Sequence, residues 1–302
     1  MNHADIKAER PSQILVWFYA ARPKTLTAGV LPVVAASALA YYQFHAWSWL
    51  VFFCGLLTAL CIQIGVNFTN DAFDYKKGAD NAKRIGFDRV VQKGWISYSQ
   101  MLWAGIAALT AGVLFALPIA WDIPSIGVIV AMSALLSYFY TGGPFPLAYN
   151  GLGELFVLLF YGWAITGAVY FAMTGVLDLS ILILGLQIGL LSTAILANNN
   201  FRDYIQDKAV HKNTLIVRWG INFGRWEIIS ALLLPFVLNI YWFEIGMTLP
   251  ATLSFLAFPM ALQVVREIWD AQPSARGNVL LVKSAATHLV FSLFFSIGCF
   301  LS

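Results

Sequence analysis

The chain has 302 residues, of which 60% are hydrophobic and only 11% are Asp, Glu, Lys or Arg. A typical soluble domain carries about 25% charged residues, so this chain has too few to cover a soluble core of its size. The charged residues are separated by long apolar windows, and a membrane-spanning helix needs about 20 apolar residues. The composition therefore excludes a soluble globular domain and predicts an integral, multi-pass membrane protein.

Nine apolar segments follow one another along the chain, and we interpret each as a membrane-spanning helix. Their predicted ranges are 26–43, 48–67, 100–121, 125–141, 152–174, 179–198, 227–244, 249–266 and 281–301. The connections between them contain no low-complexity tract, so we treat residues 1–302 as a single transmembrane domain. The predicted fold class is all-α, a polytopic membrane bundle of nine transmembrane helices.

The 18 basic residues favour one orientation of this bundle. With nine spans, every Lys and Arg falls on the same side, either near the start of the first span or in the connections after spans two, six and eight. The positive-inside rule assigns that side to the cytoplasm, with the N-terminus inside and the C-terminus outside. The two long connections, about 68–99 and 199–226, would then be cytoplasmic catalytic loops.

A first group of polar residues follows the second predicted span. Asn70 and Asp74 are four residues apart, so they would share one face of a helix that continues from that span. Gly78 is expected to end this helix, which would let Asp80 fold back from the following loop.

A second group lies at the cytoplasmic end of the sixth predicted span. Asn199, Asp203 and Asp207 are spaced at i, i+4 and i+8, which places them in one stripe along a helix. Both groups therefore show an amide followed by a carboxylate four residues later, as a weak internal repeat would.

Several carboxylates that converge at a membrane edge repel one another unless cations lie between them. Ligand sets with oxygen alone, without His or Cys, point to Mg²⁺ rather than to zinc or copper. Mg²⁺ is usually held by one or two carboxylates together with substrate phosphates, and basic neighbours can contact the phosphate oxygens directly. Because the spans can also hold a hydrocarbon tail, the pattern predicts a site for a lipid diphosphate bridged by Mg²⁺.

The competing interpretation is that these charges are ordinary interfacial groups that reach towards water from the helix ends. We favour it for Lys77, Lys83, Arg218 and Arg225. We do not favour it for the two acidic groups, because a carboxylate deep in a membrane costs about 2.5–3.5 kcal/mol on insertion scales. Solvated loop charges also have no reason to repeat a helical spacing twice.

At this point the sequence resembles the UbiA superfamily of intramembrane aromatic prenyltransferases, which are nine-helix bundles with Asp-rich motifs after helices two and six. Asn70-x3-Asp74-x5-Asp80 resembles the first motif and Asp203-x3-Asp207 resembles the second.

Within the superfamily, the chain is most similar to the 1,4-dihydroxy-2-naphthoate prenyltransferases of menaquinone synthesis. The stretches that carry this likeness are 21–26, 70–80, 140–147 with 151–154, and 199–203 with 214–215. The chain departs from that subfamily at Lys208 and His211, where Arg and Gly are usual.

The resemblance implies transfer of a polyprenyl group from polyprenyl diphosphate to an aromatic acceptor inside the lipid bilayer, with Mg²⁺ as cofactor. Asp74 and Asp80 would hold one ion, with Asn70 orienting or ligating, and Asp203 with Asp207 would hold the second. The substrate-binding residues that we expect are Lys24, Arg84, Arg89, Tyr140, Asn199, Arg202, Lys208 and Lys212.

Other functions remain open at this stage. Within the enzyme class, the acceptor could be a hydroxybenzoate, homogentisate or a polyketide phenol. A secondary transporter would also show repeats and intramembrane acids, although its coupling acids belong near the bilayer midplane. A non-catalytic membrane scaffold would not need two acidic clusters. We expect no nucleic-acid partner, and we expect a bacterial inner or cell membrane with the active site facing the cytoplasm.

Overall fold

The computed structural model describes residues 11–81 and 84–302, and these residues fold as a bundle of helices. Lys7, Arg10 and Lys83, which contribute to the predicted orientation, lie outside the described residues. The helices are α1 Gln13–Ala21, α2 Pro23–Phe44, α3 Trp49–Lys76, α4 Tyr98–Asp122, α5 Pro124–Phe139, α6 Gly153–Thr174, α7 Leu179–Ala209, α8 Leu215–Trp219, α9 Ile221–Glu244, α10 Thr248–Asp270 and α11 Gly277–Leu301.

Eight of the described helices are long and apolar enough to cross a membrane, namely α2, α3, α4, α6, α7, α9, α10 and α11. The predicted fourth span corresponds to α5, which has only 16 residues. At 1.5 Å per residue it is about 24 Å long, which is shorter than a hydrocarbon core of about 30 Å. The predicted all-α membrane bundle is confirmed, whereas its count of nine spans is not.

The end of α3 folds the first acidic group together. Gly78 adopts a left-handed φ of 76°, which a residue without a side chain tolerates at no steric cost. The backbone N–H groups of Ala79 and Asp80 then donate to the Asp74 carbonyl at 2.9 and 3.2 Å. This helix end reverses the chain and brings Asp80 back beside Asp74, as the position of Gly78 predicts.

The second acidic group lies on α7, which is the most buried of the eight long helices, with 61% of its most apolar window buried. It begins after Asp178, whose carboxylate accepts a hydrogen bond from the Ile181 N–H at 3.0 Å. α7 packs against α6, α9 and α11, so the motif at its far end is held from several sides.

A π-helical segment, Leu158–Ala164, interrupts α6 where it crosses α7. Gly162 lies in this segment, and a Cβ atom added there would lie 2.6 Å from the carbonyl oxygen of Gly185 on α7. The two helix backbones are therefore in direct contact, a close approach that small residues permit between membrane helices.

We predict that Gly162→Ala lowers the melting temperature of the protein in detergent, because the new methyl group collides with backbone of α7. Overpacking of this kind costs about 1–3 kcal/mol. Gly167→Ala on the same helix is the matched control, since the nearest atom to its added Cβ is a Leu177 side-chain carbon at 3.9 Å. Equal losses of melting temperature in the two variants would contradict the assigned contact.

Candidate active site

One polar cavity of about 1160 Å³ lies at the end of the bundle where α3 and α7 terminate. Most of the site residues predicted from sequence form its wall: Asn70, Asp74, Arg84, Arg89, Tyr140, Asn199, Asp203, Asp207 and Lys212. The fold therefore brings the two motifs to one place although more than a hundred residues separate them in the chain.

Arg84 bridges the two motifs. Its Nη1 donates to the Asp80 carboxylate, and its Nη2 lies 3.7 Å from Oδ2 of Asp203. Arg89 approaches Asp80 from another side, with its Nε 3.3 Å from Oδ2. Burial and the neighbouring Asp74 carboxylate raise the pKa of Asp80 to about 7, whereas Arg84 acts in the opposite direction. Asp80 is thus held behind the cavity wall by two guanidinium groups.

The guanidinium group of Arg202 donates its hydrogen bonds to neighbouring side chains of the protein. Its Nε and Nη2 donate to the two oxygens of Asp203 at 2.7 and 2.6 Å, and Nη2 also donates to Oδ1 of Asn199 at 2.6 Å. Its Nη1 donates to Oδ1 of Asn278 at 2.8 Å. The side chain is 1% exposed and does not line the cavity. This geometry favours a role in positioning Asp203 over the predicted contact with substrate.

The turn that follows α5 orients the first motif. The Tyr149 hydroxyl donates to Oδ1 of Asp74 at 2.8 Å, and the Thr141 hydroxyl donates to Oδ1 of Asn70 at 2.8 Å. Sequence reasoning missed both partners. Tyr149 lies in a 3-10 turn, Leu147–Asn150, between the stretches 140–147 and 151–154 that carry the family likeness.

Asp207 has one paired and one unpaired oxygen. Lys212 places its Nζ 3.5 Å from Oδ1, while Oδ2 is buried and has no hydrogen-bond partner within the described residues. Burial alone would lower the pKa of Lys212, but the carboxylates of Asp207, Asp74 and Asp203 raise it above its ordinary value. Lys212 is therefore a fixed cation beside the second motif.

These donors fit Mg²⁺. The cavity offers carboxylate and amide oxygens, and Oδ2 of Asp207 is a buried anionic atom without a partner. Across residues 11–81 and 84–302, no three Asp, Glu, His or Cys side chains converge closely enough to enclose a metal alone. Mg²⁺ commonly takes only one or two protein carboxylates and completes its shell with phosphate oxygens and water.

Besides Asp80 and Arg202, two further predicted residues lie away from the cavity wall. Lys24 places its Nζ 4.8 Å from the ring centroid of Phe87, on the loop that follows the first motif. Lys208 is exposed, with its Nζ 5.9 Å from the ring of Tyr204. Neither contacts the carboxylates described above in this arrangement.

The structure adds cavity residues that the sequence analysis did not select. Arg22 joins α1 to α2 with a left-handed φ of 54°, and its Nη2 donates to the Asn67 carbonyl at 3.2 Å. Asn200 donates to the buried Glu154 carboxylate at 2.7 Å. Arg22 stands directly before Pro23, and Asn67 lies one turn before the first motif, but neither pattern specifies a role without the fold.

The profile of the UbiA prenyltransferase family matches residues 29–294. The chain belongs to this family. It is 32% identical to the 1,4-dihydroxy-2-naphthoate octaprenyltransferase of Haemophilus influenzae, covering 95% of this chain and 96% of the relative. It is 30% identical to the Escherichia coli protein of the same name, covering 96% and 97%. The chain is therefore an aromatic prenyltransferase.

The fold has a counterpart among solved structures. A UbiA homolog from Archaeoglobus fulgidus, bound to GPP and Mg²⁺, superimposes with a TM-score of 0.68 at 16% sequence identity. The alignment covers 95% of this chain and 98% of that protein. At this level of identity the likeness establishes the shared helical bundle.

We predict that Arg84→Gln destabilises the metal-free protein, because Asp80 and Asp203 then face each other without the guanidinium between them. Removing one partner of a buried ion pair costs about 3–5 kcal/mol. Thermal unfolding in detergent measures the loss, and Mg²⁺ with inorganic diphosphate is expected to restore part of it.

The matched control for this variant is Lys93→Gln. Lys93 lies 3.1 Å from Asp88, but the two side chains are 42% and 69% exposed. Exposed pairs contribute at most about 1 kcal/mol, so little change is expected. If both variants melt at the same temperature, Arg84 does not bridge the motifs.

Proposed function

We propose that this chain transfers a polyprenyl group from polyprenyl diphosphate to 1,4-dihydroxy-2-naphthoate, which would give a demethylmenaquinol. The acceptor is suggested by the names of the relatives from Haemophilus influenzae and Escherichia coli, which align over nearly the whole chain. The stretches 70–80, 140–147 and 199–203, which resemble the naphthoate prenyltransferases, all contribute residues to the wall of the polar cavity. This similarity supports the same acceptor.

One observation carries the donor assignment: the polar cavity adjoins an apolar cavity of about 770 Å³ between α3, α4, α5 and α6. Both cavities are lined by Gln63, Phe156 and Tyr161. A polyprenyl diphosphate has a charged head and a long apolar tail. The head matches the polar cavity, and the tail matches the apolar cavity next to it. A soluble phosphate ester would have no use for the apolar cavity.

The carboxylates of Asp74, Asp80, Asp203 and Asp207 would hold Mg²⁺ in the polar cavity. Bound there, Mg²⁺ supplies Lewis-acid assistance to the departing diphosphate. Within the described residues, Asp80 and Asp203 are paired with arginine, Asp207 is paired with Lys212 through Oδ1, and Asp74 has no ion pair. Asp74 and Oδ2 of Asp207 can therefore take up a cation without first giving up an ion pair.

The chain's basic residues bind the other side of the diphosphate. Arg84, Arg89 and Lys212 line the cavity and can donate charge-assisted hydrogen bonds to phosphate oxygens. Arg202 keeps Asp203 in place through its two parallel hydrogen bonds. Tyr140 borders the same cavity and would contact the acceptor. The buried wall excludes water, which would otherwise compete with the acceptor for the allylic carbon.

The proposal includes an orientation in the membrane. The positive-inside rule supports a polar cavity that faces the cytoplasm. The relatives from Haemophilus influenzae and Escherichia coli are bacterial proteins, which supports an inner or cell membrane of a bacterium. Residues 1–302 would together form one catalytic unit in that membrane.

We predict that purified protein in lipid or detergent forms prenylated, decarboxylated naphthoquinol from a polyprenyl diphosphate and 1,4-dihydroxy-2-naphthoate, and that chelation of Mg²⁺ abolishes it. Asp74→Asn and Asp207→Asn should each lower kcat/KM by roughly 100-fold or more, as expected when electrostatic stabilisation of the leaving group is lost. Diphosphate release and product mass are measured together.

The matched control is Asp88→Asn, because this carboxylate is exposed and pairs with Lys93 at the surface. It should retain full activity. Diphosphate release with a different aromatic acceptor, but not with the naphthoate, would keep the donor site and refute the acceptor. Folded protein that turns over no acceptor with any donor length would refute the proposed reaction.

A further inference from the structure

The two cavities meet at the residues common to both walls, Gln63, Phe156 and Tyr161, and we call this boundary the neck. The Tyr161 hydroxyl donates to Oε1 of Gln63. Whatever extends from the charged cavity into the apolar cavity must pass this hydrogen-bonded pair.

The orientation of the Gln63 amide is fixed by its neighbours. Its Nε2 donates to Oδ1 of Asn67 at 3.4 Å, and Nδ2 of Asn67 donates to the Ala21 carbonyl at 2.8 Å and to the Thr25 hydroxyl at 3.1 Å. Because Asn67 donates its amide hydrogens to acceptors on α1 and α2, its side-chain oxygen must face Gln63. The carbonyl oxygen of Gln63 is thereby turned towards Tyr161, so both oxygen atoms lie at the neck.

The backbone that presents Tyr161 is unusual. It belongs to the π-helical segment Leu158–Ala164, which changes the direction of side chains relative to a regular α-helix. Single π-helical turns are rare and occur frequently at functional sites. The next residue, Gly162, is pressed against the backbone of α7, so the segment cannot relax outwards or inwards. Tyr161 is therefore held in one direction, at the boundary of the two cavities.

We propose that Gln63 and Tyr161 surround the first isoprene unit of the donor and stabilise the positive charge that develops there, an inference that rests on the proposed function. With the diphosphate among the motifs and the tail in the apolar cavity, the allylic carbons lie at the neck. The two oxygens are the negative ends of fixed dipoles, and the Tyr161 ring adds its electron-rich face.

The chemical step balances in the following way. The bond between C1 of the donor and the diphosphate oxygen breaks, and its electron pair leaves with the diphosphate. A ring carbon of the acceptor supplies the electron pair of the new carbon–carbon bond to C1. The proton or the carboxyl group, lost as CO₂, leaves that ring carbon and restores the aromatic ring. If water supplies the electron pair instead, the products are polyprenol and a proton.

Neutral dipoles suit this position better than carboxylates would. A carboxylate next to an allylic cation is a nucleophile and would combine with it, whereas an amide oxygen already engaged in a hydrogen bond is a weak one. The dipoles are also fixed before the reaction, so they need no reorganisation when charge develops. The pair also lines the neck around the donor chain, which limits the access of water from the polar cavity to C1.

The test compares two hydrogen bonds of the same kind. Tyr161→Phe and Gln63→Met remove the pair at the neck while nearly keeping side-chain volume. Tyr170→Phe and Gln43→Met are the controls. The Tyr170 hydroxyl donates to Oε1 of Gln43 at 2.7 Å, and this pair lies at the ends of α6 and α2 that are remote from the polar cavity. Melting temperature in detergent establishes that each variant is folded.

The neck variants should lower kcat by at least about 10-fold, the scale of losing a fixed dipole at a developing charge. KM for the donor should stay nearly unchanged, as expected for an interaction made in the transition state. The ratio of polyprenol to prenylated acceptor should rise in the neck variants and stay at the wild-type value in the controls.

Two results would overturn the inference. One is an unchanged kcat and product ratio in folded Tyr161→Phe and Gln63→Met. The other is a raised KM with unchanged kcat, which would mean that the pair only binds the chain. Absence of transfer by the wild-type protein would instead refute the proposed function, so the two failures are distinguishable.

Discussion

The site depends on keeping several carboxylates buried together at the end of a nearly uncharged bundle. Asp74, Asp80, Asp203 and Asp207 are each 6% exposed or less. Carboxylates without water or partners are too costly to remain ionised in such surroundings. The fold offsets this cost with fixed cations, of which Arg84 is the central one because it contacts both motifs. Buried ion pairs often contribute no more to stability than hydrophobic residues of similar volume would, so their burial here is weak evidence for a purely structural role.

The same bundle must also hold an apolar chain within reach of those charges. The close contact between Gly162 and Gly185 allows α6 and α7 to approach at their backbones. Because the helices meet there, the π-helical segment can direct Tyr161 towards α3 instead of towards lipid. Packing of small residues thus sets where the polar cavity stops and the apolar cavity begins.

What the sequence predicted well was local. Helical spacing placed Asn199, Asp203 and Asp207 on one stripe, and Gly78 predicted the reversal that returns Asp80 to Asp74. These features depend on a few neighbouring residues and on backbone geometry that every helix shares.

The other features depend on contacts between distant segments. The hydroxyl of Tyr149 reaches Asp74 across 75 residues, and that of Tyr161 reaches Gln63 across 98. No periodicity encodes such pairs. The prediction for Arg202 illustrates the same point: a basic residue beside an acidic motif suggests a phosphate ligand until Asn278 and Asn199 are seen to take its remaining donors.

The two motifs share an asymmetry that links the electrostatics to the proposed chemistry. Each provides one carboxylate held by arginine, Asp80 or Asp203, and one that is not, Asp74 or Asp207. An arginine-held carboxylate must exchange an existing ion pair before it takes up a metal ion. Asp74 forms no ion pair among the described residues, and Asp207 keeps Oδ2 without a partner although Lys212 pairs with its Oδ1. These two carboxylates therefore need the least rearrangement to take up a cation. Since Mg²⁺ needs only one or two protein carboxylates when phosphates complete its shell, one open carboxylate per motif is sufficient. The arginine-held pair then serves to keep the two halves of the site at a fixed separation before substrate arrives.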